Sequence, residues 1–96
     1  MVKIEWTEFA LEDLKEIHDY ISLDSKIYAD RYIDKLISRV DQLLTQHKSG
    51  RVVPEYNVET IRELIEDNYR IVYKYNVETI SILRGHHSAR LLKYLQ

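Results

Sequence analysis

Tyr69-Arg70-Ile71-Val72-Tyr73-Lys74-Tyr75 is the stretch that decides the fold. Tyr69, Ile71, Tyr73 and Tyr75 alternate with Arg70, Val72 and Lys74, the two-residue period of a strand with one apolar face. Glu66-Asp67-Asn68 before it is turn chemistry, and Thr60–Ile65 before that turn suits another strand. On the other side, Thr79–Arg84 has the same character. These three segments predict antiparallel hairpins. A tyrosine row on one strand can also stack nucleic-acid bases, but regular alternation is what a core-facing stripe produces.

Upstream the period changes from two to that of a helix. Ala10, Leu14, Ile17 and Ile21 recur at spacings of four, three and four, an apolar stripe about four turns long. Glu12, Asp13, Glu16 and Asp19 read as lying off that stripe. Thr7 stands where an N-cap belongs, with Glu8 in the first turn. Ser22-Leu23-Asp24-Ser25 interrupts the pattern and offers new caps. A second stripe, Ala29, Ile33, Leu36, Val40 and Leu43, persists to about His47, so the two helices form a hairpin. Gly50 reads as the C-terminal cap of the second helix. Arg51–Asn57, with the only proline, reads as an ordered loop.

Val2, Ile4 and Trp6 alternate with Lys3 and Glu5, a short half-buried strand that should place Trp6 between the sheet and the helices. At the other end, Ser88 can cap a short helix using Ala89, Leu92 and Leu95. The predicted architecture is α+β: two layers, a helical hairpin packed on a small antiparallel sheet, in the order β-α-α-β-β-β with a short C-terminal helix. The second sheet face is expected to be open to water, with Arg70 on it. All 96 residues form one domain. Tyr56-Asn57-Val58-Glu59-Thr60-Ile61 recurs letter for letter as Tyr75-Asn76-Val77-Glu78-Thr79-Ile80. Two copies are too few for a solenoid, and both read as strand-entry turns.

Composition narrows the function classes. The absence of cysteine removes disulfides, thiolate metal sites and Cys nucleophiles. No apolar run approaches the roughly 20 residues of a membrane helix, and Met1–Trp6 does not read as a signal peptide, so a cytoplasmic location is expected. The net charge of −2 is unevenly spread. Residues 1–47 hold six Lys/Arg against ten Asp/Glu. After Glu78 there is no acid, while His86, His87, Arg84, Arg90 and Lys93 follow. A basic end of this kind can meet phosphate or an acidic surface.

The chemistry-bearing residues are few. His18 and His47 have no second ligand at helical spacing, so no metal site and no cofactor is expected. His86 and His87 are adjacent on a strand and point to opposite faces. Arg62, Arg70 and Arg84 fall one on each C-terminal strand. A metal-free ribonuclease needs a base, a cation on the phosphate and an acid for the leaving oxygen. Glu63, Arg70 and His86 or His87 fit those roles by type, and spacing does not bring them together.

The whole string resembles the RelE/ParE superfamily, the toxins of type II toxin–antitoxin modules. The resemblance runs from a strand ending in Trp6-Thr7 and a helix reading Ala10…Asp13-Leu14…Ile17…Tyr20-Ile21, through Gly50-Arg51-Val52-Val53-Pro54-Glu55 and Ile61-Arg62-Glu63-Leu64. It closes with Tyr69-Arg70-Ile71-Val72-Tyr73, Ile82-Leu83-Arg84 and His87-Ser88-Ala89-Arg90. It implies a cognate antitoxin encoded next to the toxin, which folds over the helical hairpin and sheet, meeting apolar residues such as Phe9 and Leu11. A toxin–antitoxin heterotetramer is one assembly it allows. Within the superfamily the ParE-like branch poisons DNA gyrase, and the Gly50–Glu55 run, the Ile61–Leu64 run and His87/Arg90 are most similar to it. That branch implies target-binding residues in the basic end: Arg84, His87, Arg90 and Lys93. The alternative is the RelE-like branch, ribosome-dependent mRNA endonucleases. It implies Arg70 on the scissile phosphate and His86 or His87 as acid. The lysine pair of RelE has no counterpart around Ile61–Ile65, and a pI of about 6.1 suits a ribosome-docking protein poorly. An enzyme is therefore the less favoured of the two readings.

Overall fold

A computed structural model describes residues 2–87. The elements are β1 (Lys3–Trp6), α1 (Glu8–Ser22), α2 (Lys26–Asp41), β2 (Arg51–Val52), β3 (Ile61–Glu66), β4 (Tyr69–Tyr75) and β5 (Thr79–His87), with a 3₁₀ turn at Gln42–Leu44. The two helices pack on one face of a five-stranded sheet ordered β1-β5-β4-β3-β2. The α+β hairpin-on-sheet architecture is as the patterning predicts. The C-terminal helix expected from Ser88 lies outside the described residues.

Both helix starts are chemically explicit. The Thr7 side chain accepts from the Ala10 N–H at 3.1 Å, and its hydroxyl lies 3.0 Å from the Ile82 and Leu83 carbonyls. One residue thus starts α1 and ties it to β5. Ser25 accepts from the Tyr28 N–H and starts α2. Val40, Leu43, Leu64, Tyr73, Ile80 and Ile82 build the main core between the helices and the sheet, and Ile17, Tyr32 and Leu36 build a second cluster nearer the hairpin tip.

Several features depart from the sequence reading. The sheet is mixed: β1 runs parallel to β5, with Ile4 opposite Ile80 and Trp6 opposite Ile82, while the remaining pairs are antiparallel. A parallel partner needs a long crossover, and the helical hairpin is part of it. Trp6, on this edge strand, is half-buried rather than enclosed. Gly50 is not a helix cap, since α2 has already ended. It is a close-approach residue: a Cβ there would stand 2.6 Å from the Glu63 carbonyl oxygen and 2.7 Å from the Tyr73 hydroxyl. Its N–H donates to that hydroxyl at 3.1 Å, and the hydroxyl donates to the His47 carbonyl at 2.7 Å.

The second face of the sheet is not open. Val53, in the segment between β2 and β3, packs on Val72, with Tyr56, Ile61 and Leu83 around them. Arg51–Val52, expected as loop, pairs with Glu63 and Arg62 as a two-residue strand that leads this segment across β4. Both Arg70 and Val72 are buried as a result. The two hexapeptide copies do end in strand entries, through different turns. Asn57 adopts positive φ (53°), whereas the Asn76 side chain accepts from the Glu78 and Thr79 N–H groups.

Candidate functional site

A bulge in β5 determines how the candidate side chains meet. Tyr73 pairs with Ile82 but Val72 pairs with Arg84, so Leu83 is the extra residue. An inserted residue shifts the faces of everything beyond it. His86 is thereby set opposite Arg70, on the sheet face away from the helices, and Gly85 opposite Ile71, on the face that packs on α1. Regular alternation would have carried His86 to the helix face with Ile82.

Arg70 lies at the centre of a buried ionic cluster. Its Nη1 and Nη2 donate to the two carboxylate oxygens of Glu55 at 2.8 and 2.9 Å, and its Nε donates to Glu63 Oε1 at 2.6 Å. The other Glu63 oxygen accepts from Arg51 Nε at 2.6 Å. The Glu63 side chain has no exposed area and that of Arg70 is 6% exposed. Planar fork-to-carboxylate pairing suits arginine and no other cation. Led by the Glu55 hydrogen bonds, with Glu63 adding to them, it raises the Arg70 pKa above its ordinary value despite burial. The expectation that Arg70 stands on an open face is overturned, because the segment carrying Val53 and Glu55 covers that face.

Glu63, Arg70 and His86 do converge, which spacing alone did not indicate. They converge in a buried, charge-compensated interior. His87 takes the other side, exposed at the surface with its ring edge-on to Tyr69 at 5.9 Å.

Arg84 forms a second pair. Its Nε and Nη2 donate to Asp13 at 2.7 and 3.1 Å, and its guanidinium lies 5.4 Å from the centre of the exposed Phe9 ring. Hydrogen bonding to Asp13 raises its pKa. Asp13 also accepts from the Gly85 N–H at 2.9 Å. That donor lies on the β5 edge beyond the end of β1, where among the described residues no strand pairs with it. Asp13 is buried, although it reads as lying off the apolar stripe. The signal was present: 10, 13 and 17 are themselves at helical spacing, so Asp13 sits between two buried apolar neighbours. Glu55 carried no such signal, because nothing local says that a loop carboxylate reaches a strand arginine. Arg90 and Lys93 lie outside the described residues.

Among the described residues no group of three metal-ligating side chains converges, and no helix is long and apolar enough to cross a membrane.

Comparison with known proteins agrees with this fold. Residues 4–92 match the family model described as ParE toxin of type II toxin–antitoxin system, parDE. Toxin RelE2 of Caulobacter vibrioides is 35% identical over 92 residues, covering 95% of this chain and all of that protein. A chain of a solved chromosomal ParDE toxin–antitoxin system from P. aeruginosa superposes with a TM-score of 0.75 at 24% identity, covering 91% of this chain and 96% of that one, a likeness of fold. The chain belongs to the ParE toxin family of type II toxin–antitoxin systems.

Proposed function

We propose that this toxin acts by poisoning DNA gyrase, with Arg84, His87, Arg90 and Lys93 as its target-facing residues. One observation carries the preference over RNA cleavage. Arg70, the cation a nuclease would place on the scissile phosphate, has all three of its guanidinium nitrogens on Glu55 and Glu63 and is buried beneath the β2–β3 segment. A phosphate would have to displace two carboxylates to reach it, and would meet their negative charge on the way. The acid-free end of the sequence offers cations instead, after Glu78. The cognate antitoxin that membership of a toxin–antitoxin system implies would neutralise the toxin by covering part of this surface.

A second reading, ribosome-dependent mRNA cleavage, is favoured by two observations. A 35% identical relative carries the name Toxin RelE2, and His86 is opposite Arg70 in the β4–β5 register. Purified toxin added to gyrase, ATP and relaxed plasmid separates the two. Gyrase poisoning predicts lost supercoiling with trapped double-strand breaks, and intact messenger in a translating extract. Cleaved messenger with unimpaired gyrase would overturn the proposal. Arg90→Glu together with Lys93→Glu should abolish growth arrest while antitoxin binding survives; full toxicity of that variant would remove these residues from the site.

A further inference from the structure

β1 is an edge strand, and among the described residues no strand lies along its outer side. Its inner side is committed to β5. The Lys3 N–H donates to the Glu78 carbonyl at 3.1 Å, and the Thr7 N–H, just past the strand, donates to that of Ile82 at 3.1 Å. Backbone groups alternate sides along a strand, so the N–H and C=O groups of Ile4 and Trp6, and of Val2 before them, point outward. An edge of this kind is a template for another strand unless something guards it. The side chains of Val2, Ile4 and Trp6 lie on the helix face, where they pack against the core and stay half-buried. Lys3 and Glu5 lie on the other face and are exposed.

Charged residues commonly guard such an edge, but here their order makes it self-complementary. Val2-Lys3-Ile4-Glu5-Trp6 has apolar residues at both ends and opposite charges on either side of Ile4. A second copy turned about a twofold axis through Ile4 runs antiparallel to the first. Ile4 then faces the partner's Ile4, and Val2 the partner's Trp6, as pairs that exchange both backbone hydrogen bonds. Lys3 faces the partner's Glu5 in the pair between them, where Cα atoms approach to about 4.5 Å. Only the outward-pointing residues can exchange hydrogen bonds, so the register can slip only by two residues. A register centred on Lys3 or on Glu5 sets like charges face to face and loses the Val2–Trp6 pair. Within one copy Lys3 Nζ lies 3.1 Å from Glu5 Oε1, with both side chains more than half exposed. A pair in that setting contributes little and gives way readily to the cross-strand one. The residues opposite on β5 are neutral, Thr79 for Lys3 and Ser81 for Glu5, so β5 offers neither charge another partner at those positions.

We propose that β1 is a docking edge for a second copy of this chain, joined β1 to β1 in the register centred on Ile4. The two five-stranded sheets then run on as one, and the partner's Val2 covers the half-buried Trp6. The strand order places β5 next to the join in both copies, so the dimer presents Arg84 and His87 twice. A strand this short makes a reversible dimer, with a dissociation constant on the order of micromolar. The inference does not depend on which target the toxin acts on.

The test is sedimentation velocity of the toxin, freed from its antitoxin, over a concentration series. Wild type should pass from monomer to dimer between about 1 and 100 µM, and the emission of Trp6, the only tryptophan, should shift to the blue over the same range. Lys3→Glu leaves only acid on the edge and Glu5→Lys only base. Each alone should weaken self-association roughly tenfold or more, and less so at high salt. Mixed in equal amounts, the two variants should associate with each other about as tightly as wild type does, because every charge again faces its opposite. A merely structural role for either residue gives no such rescue, and circular dichroism checks each fold. A toxin still monomeric at about 100 µM, an association indifferent to both substitutions, or weakening without rescue in the mixture would overturn the proposal. So would protection of the Ile4 and Trp6 amides from hydrogen exchange in the toxin–antitoxin complex alone, which would give the edge to the antitoxin.

Discussion

Removing Arg70 should strongly destabilise this protein. Arg70→Met deletes the cation that holds Glu55 and shares Glu63, in a cluster where the Glu63 side chain has no contact with water. Breaking a buried pair from one side typically costs about 3–5 kcal/mol, because the surviving charge is left in the interior. Arg51 still holds one Glu63 oxygen, which favours the lower half of that range. Glu55, partly exposed, can turn to solvent. About 3 kcal/mol is a large part of the ~5–15 kcal/mol that keeps a domain folded. For a chain of this size it lowers the melting temperature by roughly 12–24 °C. Urea denaturation of wild type, Arg70→Met, Glu55→Gln and the double variant measures the total and the Arg70–Glu55 coupling. A loss below about 1 kcal/mol for Arg70→Met, or no coupling, would refute the buried-cluster account. The result bears on function as well. Lost toxicity in an Arg70 variant is not by itself a sign of a nuclease, since lost stability reduces the amount of folded toxin as well.

Three other outcomes follow from the same contacts. Gly50→Ala should destabilise by about 1–3 kcal/mol in the same denaturation assay, because the new methyl meets the Glu63 carbonyl and Tyr73 cannot move without losing its bond to His47. Asp13→Ala should lose about 2–3 kcal/mol and increase hydrogen exchange at the Gly85 amide, since one carboxylate serves both that N–H and Arg84. Asp30 has its pKa lowered by hydrogen bonding to His18 and then Lys26, so its contribution to stability is present above its ordinary value near 3.8 and is lost as pH falls below it. Asp30→Asn should therefore flatten part of the fall in stability below pH 4; an unchanged slope would show the His18–Asp30 link between the helices to be inconsequential.

How far the sequence could be read depends on the range of each interaction. The helical stripes from Ala10 and Ala29, the Thr7 and Ser25 caps and the alternating strand Tyr69–Tyr75 are local patterns, and each forms where it is written. Period and capping act over one or two turns, so a short window of residues contains their cause. Asp13 was legible too, at helical spacing from Ala10 and Ile17, although a charge there reads more naturally as solvated.

Other features depend on which segments meet. The parallel seat of β1 beside β5 depends on the route of the helical crossover, not on the alternation of Val2–Trp6. The bulge at Leu83 exists only in the ladder with β4, and it alone exchanges the faces of Gly85 and His86. Arg70 looked like a surface cation because one strand shows only its own alternation. Its burial needs the two-residue β2 pairing that lays Val53 and Glu55 across β4. Sequence alone determined the layers and the supply of charge. Tertiary structure decided which cations are neutralised inside and which surface is left for a partner, because burial and ion pairing are properties of segments far apart in the chain brought within a few ångströms.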